Sequence, residues 1–210
     1  MLSTLSKETL DLLLVATSAS TLLLAAACVF LWQRNKTLQA DCEAERGIDP
    51  LTGTWNRVRF MELAEKQINH VQRTGRSAAL MIIDLDHCQK INEQYGHHAG
   101  DLAVQYLARC AQSCVRDYDL LGRYSGEELA MLLPDTSQEG ANAVASRLRD
   151  AIAEQQVVTP KNEKFLITVS IGLSVLVDEI HTLEDILLAA DIALTSAKTQ
   201  GHNRTVFQRV

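Results

Sequence analysis

The sequence predicts a mixed α/β sandwich, a sheet flanked by helices, preceded by one transmembrane helix. Three observations predict it. Apolar residues switch repeatedly between a helical period and short extended runs. One extended segment closes a hairpin, which makes the sheet mixed rather than all parallel. A run of twenty residues without a charge precedes all of this.

That run, from Leu12 to Leu31, reads LLLVATSASTLLLAAACVFL. At about 1.5 Å per residue it spans roughly 30 Å of hydrocarbon as a helix. Trp32 stands at its end, followed by Arg34 and Lys36, while Lys7 on the other flank is offset by Glu8 and Asp11. This bias places the C-terminal side in the cytoplasm of a single-pass inner-membrane protein. A cleaved signal peptide fits less well, because its apolar region runs about 7 to 15 residues. A lipid anchor at Cys28 fits less well too, since the run continues through Val29, Phe30 and Leu31. Residues 1–32 are therefore expected to be a tail and membrane helix. Residues 33–48 are a stalk helix or a solvated linker, and Asp49-Pro-Leu-Thr-Gly53 is a turn that opens a domain over 49–210.

Within that domain, Phe60, Leu63, Ala64, Ile68 and Val71 predict a helix over 56–72. The apolar run 78–84 predicts a central strand. Ala103, Leu107, Cys110, Ala111 and Cys114 predict a helix over 99–115, and residues 121–133 a hairpin turning at Ser125-Gly126. A helix over 139–152 follows. From Phe165 to Val177 every odd position is apolar, which predicts one extended strand, and Leu183 to Lys198 closes the domain as a helix.

Composition narrows the function. A net charge of −6 and a pI near 5.5 argue against binding a nucleic-acid polymer through its phosphates. Five cysteines without CxxC spacing read as reduced intracellular thiols. The sharpest chemical signal is acidic. Asp84 and Asp86 end the central strand, and Glu127 and Glu128 sit at a hairpin turn able to face that end. Carboxylates gathered at one edge repel unless a cation joins them, and oxygen ligands favour Mg²⁺ over zinc. The alternative, two solvated turns, is left open by spacing alone. Asn92 and Asp101 have the donor and acceptor types to read a guanine edge, although Asp101 could equally be a helix N-cap.

Taken together, these residues resemble the GGDEF domain family of diguanylate cyclases, from about Asp49 to Phe207. Asp49-Pro-Leu-Thr-Gly with Asn56-Arg57 resembles the entry motif, and Ile83-Asp-Leu-Asp86 the metal strand. Lys90-Ile-Asn92 through His97 and Gly100-Asp101 resembles the guanine-binding stretch, and Arg123-Tyr-Ser-Gly-Glu-Glu-Leu129 the signature. Val169-Ser-Ile-Gly172 and Ala190 to Asn203 complete the ordered set. The resemblance implies condensation of two GTP into cyclic di-GMP by a homodimer in which each domain holds one GTP. It implies Mg²⁺ or Mn²⁺ bound by Asp84, the carbonyl of Leu85 and Glu127, with Glu128 as a candidate proton acceptor. It further implies guanine contacts at Asn92 and Asp101 with His97 nearby, phosphate contacts at Lys198 and Arg123, and an inhibitory product site at Arg116, Asp119 and Arg147.

Several positions depart from the family pattern. Ser125 replaces a glycine of the signature and Leu129 its phenylalanine. Cys88 replaces phenylalanine, Gln89 a phosphate-binding lysine, and His202 a phosphate-binding arginine. Two lost hydrogen bonds to charged groups weaken GTP binding by about two to four powers of ten unless Lys90 or Arg123 compensates. The rival expectation is thus a catalytically impaired domain serving as a cyclic di-GMP receptor or signalling scaffold.

Overall fold

The computed structural model describes residues 27–32, 34, 47–176 and 182–210. The chain divides into two compact units, residues 1–46 and 47–210. In the first, residues 27–32 and 34 are helical. The membrane placement is corrected here. Among the described residues no helix is long and apolar enough to cross a membrane, and the single-pass inner-membrane assignment is withdrawn. Residues 12–26 of the apolar run, and residues 33 and 35–46 of the stalk, lie outside the described residues.

The second unit opens on the turn that contains Asp49. Its Oδ1 accepts from the amide and hydroxyl of Thr52 at 2.9 and 2.7 Å, and Gly53 completes the reversal at φ 69°. Helix α1, Arg57–Thr74, follows. Asn56 caps it by accepting from the Arg59 amide, and Gly75 ends it in the left-handed conformation at φ 63°. Its buried face carries Phe60, Ala64, Ile68 and Val71.

The central strand β1, Ala78–Leu85, lies between β3, Glu128–Pro134, and β6, Val169–Leu176, antiparallel to both. Strand β2, Leu120–Arg123, forms the outer arm of the hairpin, and β7, Thr205–Phe207, pairs parallel to β6. The sheet order is β2-β3-β1-β6-β7, and β4, Val157–Val158, pairs with β5, Lys164–Phe165, as a separate ribbon. Side chains alternate along β1. Ala79, Met81, Ile83 and Leu85 join the core under α2, Cys88–Tyr95, α3, His97–Cys114, and α4, Gln138–Ala153. Ala78, Leu80 and Ile82 join a second core under α1 and α5, Leu183–Thr199. Both faces of β1 are covered, which explains its continuous apolar run. Helix α5 starts at a reciprocal capping box between Thr182 and Asp185.

The segment expected to be one strand over 165–177 is two pieces, β5 and β6. Residues 166–168 lie between them, and Thr168 serves the loop after β1: its carbonyl accepts from the Asp86 amide at 2.9 Å. The polar face of β6 is buried as well. Ser174 donates to the Ile186 carbonyl at 2.7 Å, so a period-2 pattern here marks two covered faces with one polar lining.

Candidate active site at the end of the central strand

Register brings the acidic residues together. Asp84 pairs across the sheet with Glu128 on one side and Ser170 on the other. The amide of Leu85 points to the Glu127 carbonyl at 3.4 Å, which places the hairpin turn beside the strand end. Asp84 is 4% exposed, and Lys198 from the last turn of α5 holds its Oδ2 at 2.9 Å. Burial pushes the Asp84 carboxyl up to about 6. Lys198 opposes that rise, and the charges of Glu128 and Glu127 add to it. An ammonium group thus occupies the position of a cation beside a carboxylate that two further carboxylates disfavour.

Among the described residues no three carboxylate, histidine or cysteine side chains form a metal site. Two carboxylates, Asp84 and Glu127, with the Leu85 carbonyl remain as hard oxygen donors. A small ligand set of this kind suits Mg²⁺, which keeps waters and substrate phosphates among its ligands.

The structure separates the two aspartates of the strand end. Asp86 is 3% exposed and fully engaged: its Oδ1 accepts from Ser170 at 2.6 Å, its Oδ2 from Thr168 at 2.7 Å and from the Asn203 amide at 3.0 Å. It ties β1 to β6 and to the loop before β7. The next residue, His87, is left-handed at φ 59°, and its ring lies 4.5 Å from that of His202, itself at φ 61°.

A cavity of about 490 Å³ is lined by Gln89, Asn92, Glu93, His97 and Glu127. Asn92, on α2, has a buried Oδ1 without a hydrogen-bond partner, while its amide reaches the Cys88 sulfur at 3.8 Å. Gly100 makes room for that oxygen, since a methyl group there would overlap it. Asp101 is exposed inside α3, one turn beyond His97 on the same face. It is no N-cap, because α3 starts at His97. Burial pushes the Cys88 thiol up to about 12, and Glu127, Asp84 and Asp101 reinforce this, so the four groups lie within electrostatic reach of one another. Gln89 donates to Glu93 at 2.9 Å.

The model of the diguanylate cyclase GGDEF domain matches residues 47–204. This chain belongs to that family. A probable diguanylate cyclase, DgcC of Escherichia coli, is 32% identical over 157 residues, covering 75% of this chain and 42% of that protein. The chain spans less than half the length of the curated relatives it matches. Among solved structures, the GGDEF domain of DgcB from Caulobacter crescentus in complex with c-di-GMP superposes with a TM-score of 0.74 at 26% identity. The match covers 77% of this chain and 95% of that one. The active GGEEF domain of a diguanylate cyclase from Vibrio cholerae is 32% identical with a TM-score of 0.68, covering 74% and 97%.

In this GGDEF domain the signature turn is braced by Arg123. Its guanidinium donates to the Gly126 carbonyl at 2.7 and 3.1 Å and pairs with Asp49 at 3.1 Å, linking the entry turn to the signature. Burial works to raise the Asp49 carboxyl, but Thr52 and Arg123 hold it below the usual carboxylate range. Ser125 carries no backbone strain, because its φ lies outside the left-handed region. Its hydroxyl donates to the Glu128 Oε2 instead.

On the far side of α3, Arg116 and Asp119 close a turn: the Asp119 amide donates to the Arg116 carbonyl at 3.1 Å, and the Arg116 amide to Asp119 Oδ2 at 2.8 Å. Arg147, from α4, donates to the Cys114 carbonyl at 2.8 Å. Asp119 Oδ1 is buried without a partner, and burial raises the carboxyl against the pull of Arg116 and Arg147. Sequence reasoning missed the work of Asp86, Thr168 and Ser170, and the ring of Tyr118 beside Arg116. Period-2 polar residues on β6 were the signal for the first. Nothing in the sequence pointed to the second.

Proposed function

We propose that the chain condenses two GTP into cyclic di-GMP, each of two facing domains holding one nucleotide. The observation that carries this reading is Asp84, a buried carboxyl beside Glu127 and Glu128 with the Lys198 ammonium at 2.9 Å. In this reading Asp84, Glu127 and the Leu85 carbonyl hold Mg²⁺ or Mn²⁺, which supplies neutralisation of charge developing on the phosphates. Lys198 exchanges its partner Asp84 for a nucleotide phosphate. Asn92 offers its buried oxygen to the guanine N–H groups, with Asp101 and His97 on the neighbouring helix. The 3′-hydroxyl oxygen of one GTP attacks the α-phosphorus of the other and pyrophosphate leaves, while Glu128 accepts the hydroxyl proton. Repeating this step in the other direction closes the ring. Each domain holds half of the reactants, so dimerisation is part of catalysis. Arg123 acts as a brace, since Asp49 and Gly126 already engage its guanidinium.

The experiment is direct. The full chain incubated with GTP and Mg²⁺ is expected to release pyrophosphate and accumulate cyclic di-GMP, with none formed in EDTA. Absence of product at saturating GTP and Mg²⁺ contradicts the proposal.

A second reading is favoured by particular contacts. Gln89 is tied to Glu93 and His202 lies against His87, while Asp119 keeps an unsatisfied buried oxygen in the Arg116 turn. In this reading the domain is a cyclic di-GMP receptor held through Arg116, Asp119 and Arg147. If the enzyme reading holds, the same site carries product inhibition. Arg116→Ala is then expected to raise the product level at which turnover stalls by at least tenfold, as measured by progress curves with added cyclic di-GMP.

A further inference from the structure

Resting on the reading of Arg116, Asp119 and Arg147 as a cyclic di-GMP site, we propose that Tyr118 is a further contact of that site, the stacking platform for one guanine face. The turn Arg116-Asp117-Tyr118-Asp119 carries two kinds of group. Asp119 Oδ1 is a buried acceptor with no partner, and Arg116 carries a fork of donors, so together they match the N–H and carbonyl edge of guanine. Edge contacts leave both faces of a purine in water, where much of its apolar area remains exposed.

Tyr118 supplies a face. The residue is 54% exposed, so its ring is open to a ligand. The ring stands beside Arg116. Arg116 Nη1 donates to the Tyr118 hydroxyl at 2.8 Å, and the guanidinium carbon lies 5.8 Å from the ring centroid. A base whose edge engages Arg116 and Asp119 therefore lies next to the ring. Stacking on an aromatic face tolerates any purine, whereas the Asp119 acceptor selects guanine. Tyr118 thus contributes affinity, and Asp119 contributes selectivity.

The test is calorimetric titration of cyclic di-GMP into the full 210-residue chain, wild type, Tyr118→Ala, Tyr118→Phe and Arg116→Ala. Tyr118→Ala is expected to weaken binding about tenfold or more, and Tyr118→Phe to remain within about threefold of wild type, because the ring and not the hydroxyl stacks. In chain labelled at tyrosine, saturation with cyclic di-GMP is expected to move the Tyr118 ring protons upfield. Tyr118→Phe falling as far as Tyr118→Ala makes the hydroxyl tether the active group and overturns the proposal, as does unchanged or tighter binding by Tyr118→Ala. If wild type and Arg116→Ala both fail to bind, the underlying reading of the site fails, an outcome distinct from failure of the stacking role.

Discussion

Asp84→Asn is expected to abolish turnover while raising the thermal stability of the metal-free chain. Most substitutions of a buried group destabilise, so the sign is diagnostic. The ordinary aspartate value is 3.8, and in the fold it is about 6. The folded state therefore binds this proton more tightly than the unfolded chain does. The contribution of Asp84 to stability is greatest below pH 3.8 and is lost as pH rises through about 6. At pH 7.5 the ionised carboxylate costs on the order of 2 kcal/mol, which Asn removes. Lys198 loses a partner, but at 37% exposure its ammonium rehydrates at little cost. The expected gain is about 5 °C in Tm. Wild-type chain melted from pH 4 to 8 without metal should show the matching decline, and added Mn²⁺ should reverse it at pH 7.5. Turnover should fall toward acid pH, because a cation binds the ionised form and competes with the proton. A lower Tm for Asp84→Asn in EDTA contradicts this account of the strand end.

Gly172→Ala is expected to be the most damaging single methyl in the domain. Gly172 sits on β6 opposite Ile82, where α5 crosses the sheet, and a methyl group there would overlap the Ala190 carbonyl oxygen and the Leu194 amide nitrogen. Both are backbone atoms of a helix held by Ile186, Leu187 and Ala190 in the core, so no rotamer relieves the clash. The cost is about 3 kcal/mol. That lowers Tm by about 10 °C. Gly126→Ala is the control, since a methyl there meets nothing within 4 Å, and its Tm is expected to stay within about 2 °C of wild type. Thermal melts of the two variants in one buffer check the pair.

Much of the fold was legible because its signals are local. The β1 run 78–84, the helical face of Phe60, Ala64, Ile68 and Val71, and the buried stripe of α5 each needed only periodicity. Strand β7 was not legible: three residues pair with β6 through a parallel contact that no short-range pattern encodes. Residues 166–168 carried the alternation of a strand, yet Thr168 is spent on Asp86, a demand arising some eighty positions earlier in the chain. The carboxylates of the site were legible as types, but their roles were not. Residue type and spacing make Asp84 and Asp86 equivalent, and the family resemblance alone singled out Asp84; register then sets Asp84 beside Glu128 and Lys198, while Ser170, Thr168 and Asn203 consume Asp86. Asp101 and Arg123 show the same limit. Position alone could not tell a cap from an exposed helix-interior acid, nor show that Arg123 pairs with Asp49.

The proposal that Asp84 and Glu127 share a divalent cation beside nucleotide phosphates is tested most directly by Mn²⁺ binding, followed by electron paramagnetic resonance with a non-hydrolysable GTP analogue present. Wild-type chain is expected to immobilise Mn²⁺, and Asp84→Asn and Glu127→Gln are each expected to lose that binding at least tenfold while remaining folded. Mn²⁺ binding left unchanged by both substitutions contradicts the account.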